Sequence, residues 1–418
     1  IAKKSLLGKA RSRPDLVKQV IDKMRQEGVK NTLEKVFTKL DTPIPLGYSL
    51  SGRVTEVGEK VHEFACGDRV ACGGVGFANH AEVNYVPQNL MTKIPDDVDD
   101  IDASFVTVGA IALQGVRQAE VRLGEKVAVM GLGLLGQLTV QLLKASGCQV
   151  IGSDIDPERL QLAEESGANK VCHAKDLERE ARQFSDGYGV DSVIITASSL
   201  NNDLVRDAGV ISRLKGKVVV VGLVGMDVPR DIYYRKELDL RLSMSYGPGR
   251  YDPEYELMGI DYPYEYVRWT EKRNFQAFLQ MVAEGKVSPK KLITHSFDFS
   301  NGLKAYDLLQ GKTDERYLGI VLNYPKDEYL NSHSNIIQLR GAQEKFDGKI
   351  CLGFIGAGNF TKAMILPMIK SMQNFEPFGL STASGISARE TGKKYDFNFI
   401  TTNDEELINN ESINAVVI

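Results

Sequence analysis

Gly131, Leu132, Gly133, Leu134, Leu135 and Gly136 spell G-x-G-x-x-G, directly after the apolar run VAVM and directly before an apolar, helix-patterned stretch. A strand, a glycine turn and a helix in that order can hold the pyrophosphate of a dinucleotide. Gly131 allows the tight turn, Gly133 lets phosphates approach bare backbone, and Gly136 lets helix and strand pack closely. The helix start adds unpaired N–H groups and the positive end of its dipole. Asp154 lies 21 residues after Gly133, at the end of a second strand-like run, where a carboxylate can accept hydrogen bonds from ribose hydroxyls. That carboxylate would also repel a 2′-phosphate, so NAD(H) is expected over NADP(H), with nearby Arg159 softening the preference.

A weaker copy of the pattern lies further on. Gly356, Gly358 and Asn359 sit in a G-x-G-x-x-T loop after the apolar run ICLGFI, and Thr361 stands where the third glycine would be. No acid ends the next strand-like run; Ser384, Ser387 and Arg389 occupy that region. A dinucleotide at this second loop could be NAD(H) or NADP(H).

The elements that must position these loops can be read from the pattern. Residues 5–40 repeat apolar positions at helical steps, and their Lys/Arg excess reads as a solvated helix face. From Pro43 the runs GYSLSGRVTEVG, FACGDRVAC and ANHAEVNYV predict short strands of a compact, barrel-like β domain. Asp99 to Leu113 reads as a helix. VAVM, VIGSD, KVCHA, SVIITASS and KVVVVGLV predict the strands of a doubly wound parallel sheet through about residue 245. Ser243–Trp269 is dense in Tyr, Gly and Pro and holds the sole tryptophan, which predicts an irregular segment. A helix (Phe275–Glu284), a strand (THSFDF), a helix to Leu309 and the strand GIVLNYP follow. Asp327–Asp347 reads as a polar linker, and FGLSTASGISAR as the second strand of the last unit.

At 418 residues, with 43% hydrophobic and 25% charged residues, the chain is expected to form several soluble globular domains. A net charge of −4 leaves no electrostatic footprint for nucleic acid or an anionic membrane, and no apolar run nears the roughly 20 residues that span a bilayer. Five scattered cysteines without a C-x-x-C pair suit reduced thiols in a cytoplasm. The chain opens without Met and stops inside the run AVVI, which reads as a fragment.

Through LGYSLSGRVTEVG, FACGDRVA, GLGLLG and VIGSDIDPERL, the stretch from Pro43 to about Pro325 resembles the medium-chain dehydrogenase/reductase family of zinc alcohol dehydrogenases and quinone oxidoreductases. From Lys349 onward, GFIGAGNF…ILP resembles the N-terminal Rossmann domain of the glucose–fructose oxidoreductase/inositol dehydrogenase family. The tandem order, with SYGPGRYDPEYE…YPYEYVRWTEKRN between, is similar to bacterial bi-domain oxidoreductases that accompany surface-polysaccharide genes.

The resemblance implies an α/β architecture. A GroES-like β-rich domain (1–95 and 270–325, its N-terminal part missing) would join a doubly wound Rossmann domain (96–269). A linker (326–347) and a second, incomplete Rossmann domain (348–418) would follow. It also implies hydride transfer between a nicotinamide cofactor and a small, sugar-derived molecule, and a homodimer.

Zinc enzymes of the family carry Gly-His-Glu where this chain has Gly47, Tyr48 and Ser49, and the later zinc-binding cysteine falls near Val106. The structural-zinc lobe is absent, because Gly73 runs almost directly into Ala78, Asn79 and His80. No zinc is therefore expected, and the reacting oxygen would be held by hydrogen bonds. Tyr48, Ser49, His80, Tyr246 and Arg250 are the catalytic candidates. YGPGRY could grip a sugar or phosphate, or form a packed loop. Arg159 would touch the adenosine ribose; Ser198, Gly222, Leu223 and Val224 would line the nicotinamide half. An enone or quinone reductase and a non-catalytic sensor or scaffold are the competing readings.

Overall fold

The computed structural model describes residues 45–199, 201–325, 336–340, 348–383 and 385–418. The helix expected over residues 5–40, and Ser384, lie outside them. Leu46–Tyr324 forms one compact unit, and Pro325–Ile418 belongs to another.

In the first unit, strands β1 (Ser49–Arg53), β2 (Arg69–Gly73) and β3 (Met91–Lys93) pair antiparallel in the order β1-β2-β3. The run ANHAEVNYV, expected as a strand, forms turns instead. The Asn84 amide accepts from Asn79 N and donates to Ala81 O, so local side-chain bonds take the backbone groups that a ladder would need. After a short turn capped by Asp99, helix α1 (Val106–Ala119) leads into the parallel sheet.

That sheet contains β4 (Lys126–Met130), β5 (Gln149–Asp154), β6 (Lys170–His173), β7 (Val190–Ile195), β8 (Ser212–Val220) and β9 (Asp239–Leu242). Their spatial order is β6-β5-β4-β7-β8-β9, so the chain reverses direction across the sheet between β4 and β7. The crevice at such a switch point, at the carboxyl ends of the strands, is where open α/β sheets take ligands. Helix α2 (Leu134–Ala145) follows β4, and α3 (Pro157–Glu165) follows β5. β4 is buried from Val127 to Met130, as its continuous apolar run requires of a strand covered on both faces.

Helix α4 (Glu271–Ala283) packs on α1 at Gly109 and on the end of β2 at Gly73. A Cβ on Gly109 would stand 2.2 Å from the Phe278 ring, and one on Gly73 would stand 2.5 Å from Phe275. Both phenylalanines are fully buried, each contributing about 1.5–3 kcal/mol of hydrophobic stabilisation. A parallel pair, β10 (Ile293–Asp298) and β11 (Gly319–Asn323), closes the unit.

In the second unit, β12 (Ile337–Gln338), β13 (Ile350–Ile355), β14 (Phe375–Ser381), β15 (Phe399–Thr401) and β16 (Ala415–Val417) form one sheet, ordered β12-β15-β14-β13-β16. The last four strands in that order run parallel, and β12 pairs antiparallel at the edge. Two expectations change here. Part of the expected linker supplies a strand, because Ile337 and Gln338 complete the open edge of β15. FGLSTASGISAR is a strand only to Ser381, and helix α5 (Gly385–Lys394) begins at Gly385. Among the described residues no helix is long and apolar enough to cross a membrane.

Candidate functional site

Gly131 leaves β4 with φ +98°, a conformation that glycine adopts without strain. Its N–H donates to Ser153 O (2.8 Å), and its carbonyl accepts from Thr196 Oγ1 (2.5 Å). A Cβ on Gly136 would lie 2.0 Å from that same carbonyl, whereas one on Gly133 would meet nothing within 4 Å. The three glycines therefore do different work. Gly131 turns the chain, Gly136 permits the close approach, and Gly133 leaves the backbone bare. Gly133 caps α2 with no side-chain hydrogen bond, so the first-turn N–H groups at Leu134, Leu135 and Gly136 are donors for an incoming anion.

Asp154 ends β5 beside this loop. Its Oδ2 accepts from Leu132 N (2.6 Å), and its Oδ1 accepts from Ile155 N and Asp156 N. The Leu132 side chain is fully buried, so only its backbone belongs to the loop surface. Arg159 comes within 3.9 Å of Asp154 and 3.8 Å of Asp156, beside the carboxylate as the sequence places it. Ser198 is exposed at the end of β7. Gly222 packs against Ala197, whose carbonyl would stand 2.0 Å from a Cβ there. The Leu223 carbonyl accepts from Ser199 N, and Val224 is buried. Thr196, which anchors the glycine turn, carries no motif signal and was not among the sequence candidates. These residues fit a dinucleotide: bare glycine backbone, free helix-start donors and an acid converge at the switch point.

The catalytic candidates separate. Ser49 Oγ donates to Ser104 O (2.6 Å) and accepts from Thr107 N (3.2 Å), so its hydroxyl ties β1 to the start of α1. Thr107 Oγ1 donates to Tyr48 O, fixing the neighbouring backbone. Tyr48 keeps 44% of its surface exposed as a residue, yet desolvation by burial raises its hydroxyl above the usual tyrosine range. Gly47, at φ +93°, makes room for His80: a Cβ there would stand 2.4 Å from the imidazole Cδ2. His80 Nδ1 lies 2.6 Å from the Tyr306 hydroxyl. Desolvation lowers the His80 pKa and raises that of Tyr306, so the pair is neutral at pH 7. Tyr306, which is 226 residues from His80, was missed by the sequence reading.

Tyr246 and Arg250 are not presented as ligand-gripping groups. Tyr246 is 3% exposed and packs on Phe275, with ring centroids 5.6 Å apart. Arg250 is paired with the buried Glu256. Tyr246 and Arg250 are thus packed into the protein, while Tyr251 beside them stays exposed.

The residues do not fit a zinc site either. Ser49 has spent its hydroxyl on backbone groups, and Val106 is a fully buried apolar side chain. Cys72 is buried, its thiol pushed up to about 12, and Cys66 donates to Thr55 O. Among the described residues no three His, Cys, Asp or Glu side chains converge to hold a metal.

In the second unit, Gly356 (φ +89°) repeats the turn of Gly131, and its N–H donates to Ser381 O at 2.8 Å. Cβ atoms on Gly356 and Gly358 would meet nothing within 4 Å. Asn359 begins the following helical stretch, which opens with a π-helical turn at Thr361–Ile365. Lys362 Nζ donates to Ser387 Oγ (2.9 Å).

Residues 135–259 match the zinc-binding dehydrogenase family, and residues 19–96 match the alcohol dehydrogenase GroES-like domain. The chain is 30% identical over 233 residues to (R,R)-butanediol dehydrogenase of Bacillus subtilis strain 168, covering 48% of this chain and 65% of that protein. It is 27% identical over 304 residues to sorbitol dehydrogenase 1 of Saccharomyces cerevisiae, covering 64% and 78%. The structure of alcohol dehydrogenase TADH from Thermus sp. ATN1 matches with a TM-score of 0.57 and 22% identity. That match covers 67% of this chain and 84% of that one, and it shows the shared fold.

Proposed function

We propose that the Leu46–Tyr324 unit is an NAD(P)-dependent oxidoreductase of the medium-chain, zinc-type alcohol dehydrogenase-like family, and that it works on a hydroxyl or carbonyl carbon of a sugar-like substrate without zinc. The observation that carries the zinc-free reading is the state of the metal-ligand positions: Ser49 Oγ bonded twice to backbone, and Val106 sealed in the core. Bound NAD(H) would supply or accept the hydride.

The chain's part is positional and electrostatic. The backbone at Gly133 to Gly136 holds the pyrophosphate, and Asp154 takes the ribose hydroxyls, which favours NAD(H) over NADP(H). Tyr48 donates a hydrogen bond to the reacting oxygen, and the neutral His80–Tyr306 pair beside it relays the proton. The polyol relative supports a polyhydroxylated substrate. A role in bacterial surface-polysaccharide synthesis rests on the sequence resemblance alone.

The glycine turn at Gly356 supports a second dinucleotide site, for NAD(H) or NADP(H), with Asn359 in its phosphate loop. The scattered cysteines, with no C-x-x-C pair, suit a reducing cytoplasm, and a homodimer is the expected assembly.

Titration with NADH and, separately, NADPH, on the native sequence and on Asp154→Ala, tests the reading. NADH binding that weakens at least tenfold in Asp154→Ala, with turnover of keto-sugars in metal-free protein, supports it. Turnover that appears only when zinc is added would sink the zinc-free part, and no saturable binding of either cofactor would end it altogether.

A further inference from the structure

The segment that follows β9 is held in a strained conformation against the start of α4. Every second residue from Ser245 to Tyr251 is left-handed: Ser245 (φ +46°), Gly247 (+118°), Gly249 (+106°) and Tyr251 (+69°). Glycine adopts such angles freely, whereas a serine and above all a bulky tyrosine are strained there. The two glycines also let the segment press inward. A Cβ on Gly247 would stand 2.6 Å from Asn274 Nδ2, and one on Gly249 would stand 2.5 Å from the Tyr255 ring.

What holds the segment down is one face of α4. Glu271, Asn274 and Phe275 stand at i, i+3 and i+4, so they share that face. Glu271 N donates to Pro248 O (2.9 Å), Asn274 Nδ2 donates to Tyr246 O (2.9 Å), and the Phe275 ring packs on Tyr246. The Glu271 side chain fits this arrangement worst. It is fully buried, and among the described residues neither of its carboxyl oxygens has a hydrogen-bond partner; nor do the buried Tyr246 hydroxyl and Arg250 Nε.

Arg250 and Tyr246 of the segment act on Glu271, as do Glu256 and Tyr255 of the helical turn Pro253–Glu256, and Tyr262 beyond it. Burial holds Tyr246 and Tyr255 above the ordinary tyrosine range, and the Asp252 hydrogen bond does the same for Tyr262, so all three phenols are neutral. Arg250, the cation that acts on Glu271, is already bonded to Glu256. On the other sides of α4, Arg117 of α1 donates to Asn274 Oδ1 (2.8 Å), Lys272 turns to Glu63, and Arg273 turns to Asp261. An ionised Glu271 would therefore set two buried carboxylates on one guanidinium. Burial, and then the Glu256 charge, push its pKa up to about 9.

We propose that Glu271 is a proton-held latch: with its proton it keeps the strained segment shut on α4, and losing that proton releases residues 245–256. Opening lets the carboxylate reach water and relaxes Ser245 and Tyr251. It also takes Tyr246 away from Phe275. Phe275, Thr107 and Gly73 meet at one point, since a Cβ on Gly73 would stand 2.5 Å from the Phe275 ring and 2.6 Å from Thr107 Oγ1. Thr107 in turn holds the Tyr48 carbonyl (3.0 Å), so the latch couples pH to the backbone of Tyr48. It rests on packing alone and needs neither cofactor nor substrate.

Trypsin reads the latch at Arg250, which is cut only when the segment opens. The full chain is digested briefly under native conditions from pH 7 to 9.5, and cleavage after Arg250 is followed by mass spectrometry. Each rate is divided by that of the free peptide SYGPGRYDPEYE, which removes the pH dependence of the protease. Opening that releases one proton grows about tenfold per pH unit until the shut form itself titrates near pH 9. The normalised rate should therefore rise about 50-fold between pH 7 and 9 (two units, halved at the midpoint) and then level off. Cleavage after Lys144 on α2 should stay level, and in Glu271→Gln the Arg250 rate should be low and flat. A flat profile in the native chain, an equal rise in Glu271→Gln, or a parallel rise at Lys144, which would mean global unfolding, overturns the latch. If Glu271→Gln does not fold, the native profile decides alone: a slope well short of tenfold per unit, or no levelling near pH 9, refutes it.

Discussion

Glu271 is the first residue of α4 and is fully buried, with both carboxyl oxygens lacking a hydrogen-bond partner among the described residues. Burial, and then the nearby Glu256 charge, push its pKa up to about 9 against an ordinary 4.5, with Arg250 pulling weakly the other way. The folded chain therefore keeps a proton that the unfolded chain releases above pH 4.5. An acid with a raised folded pKa contributes most below its unfolded value, so stability falls as pH rises from about 4.5 to 9. At pH 7 the gap is 7 minus 4.5 units, and at about 1.36 kcal/mol per unit it costs on the order of 3 kcal/mol. Glu271→Gln keeps the shape and removes the titration. It should match the native sequence near pH 4.5 to 5 and exceed it by about 3 kcal/mol at pH 7, with the gap widening toward pH 9. Urea unfolding followed through Trp269 at pH 5, 7 and 8.5 measures this. A gap that does not change with pH would refute the neutral-acid assignment and place an ionised carboxylate there.

Two further outcomes follow from the cofactor loop and the proton-handling pair. Gly136→Ala puts a methyl 2.0 Å from Gly131 O; it should destabilise by about 1–3 kcal/mol and weaken NADH binding, read by thermal unfolding and titration. His80, whose pKa desolvation holds below the ordinary 6.5, should give kcat an acid limb below pH 6.5 that disappears in His80→Gln; a limb that persists in the variant assigns it to another group.

Much of the cofactor loop was legible in the sequence because its requirements are local. A turn, a bare backbone position and a close helix approach all fall within Gly131 to Gly136, and only glycine meets each of them. Asp154 needed one strand more, and the regular length of a β-α-β unit supplied it. The parallel strands were legible for a similar reason: a strand covered on both faces reads as an unbroken apolar run.

Short irregular pieces were less readable. The alternation in ANHAEVNYV resembles a strand, but the side chain of Asn84 commits its backbone to turns.

What the tertiary structure alone decided is which polar groups are already spent. Ser49 looked free until the backbone of Ser104 and Thr107, 55 and 58 residues away, used both functions of its hydroxyl. His80 gained its partner Tyr306 across 226 residues. Glu271 reads as an ordinary acid at a helix start, where the dipole favours it, until packing removes its water. Conformational preference acts over a few neighbouring residues and is written in their order. Desolvation and hydrogen-bond partnership depend on what the rest of the chain brings alongside, and that is fixed only when the chain has packed.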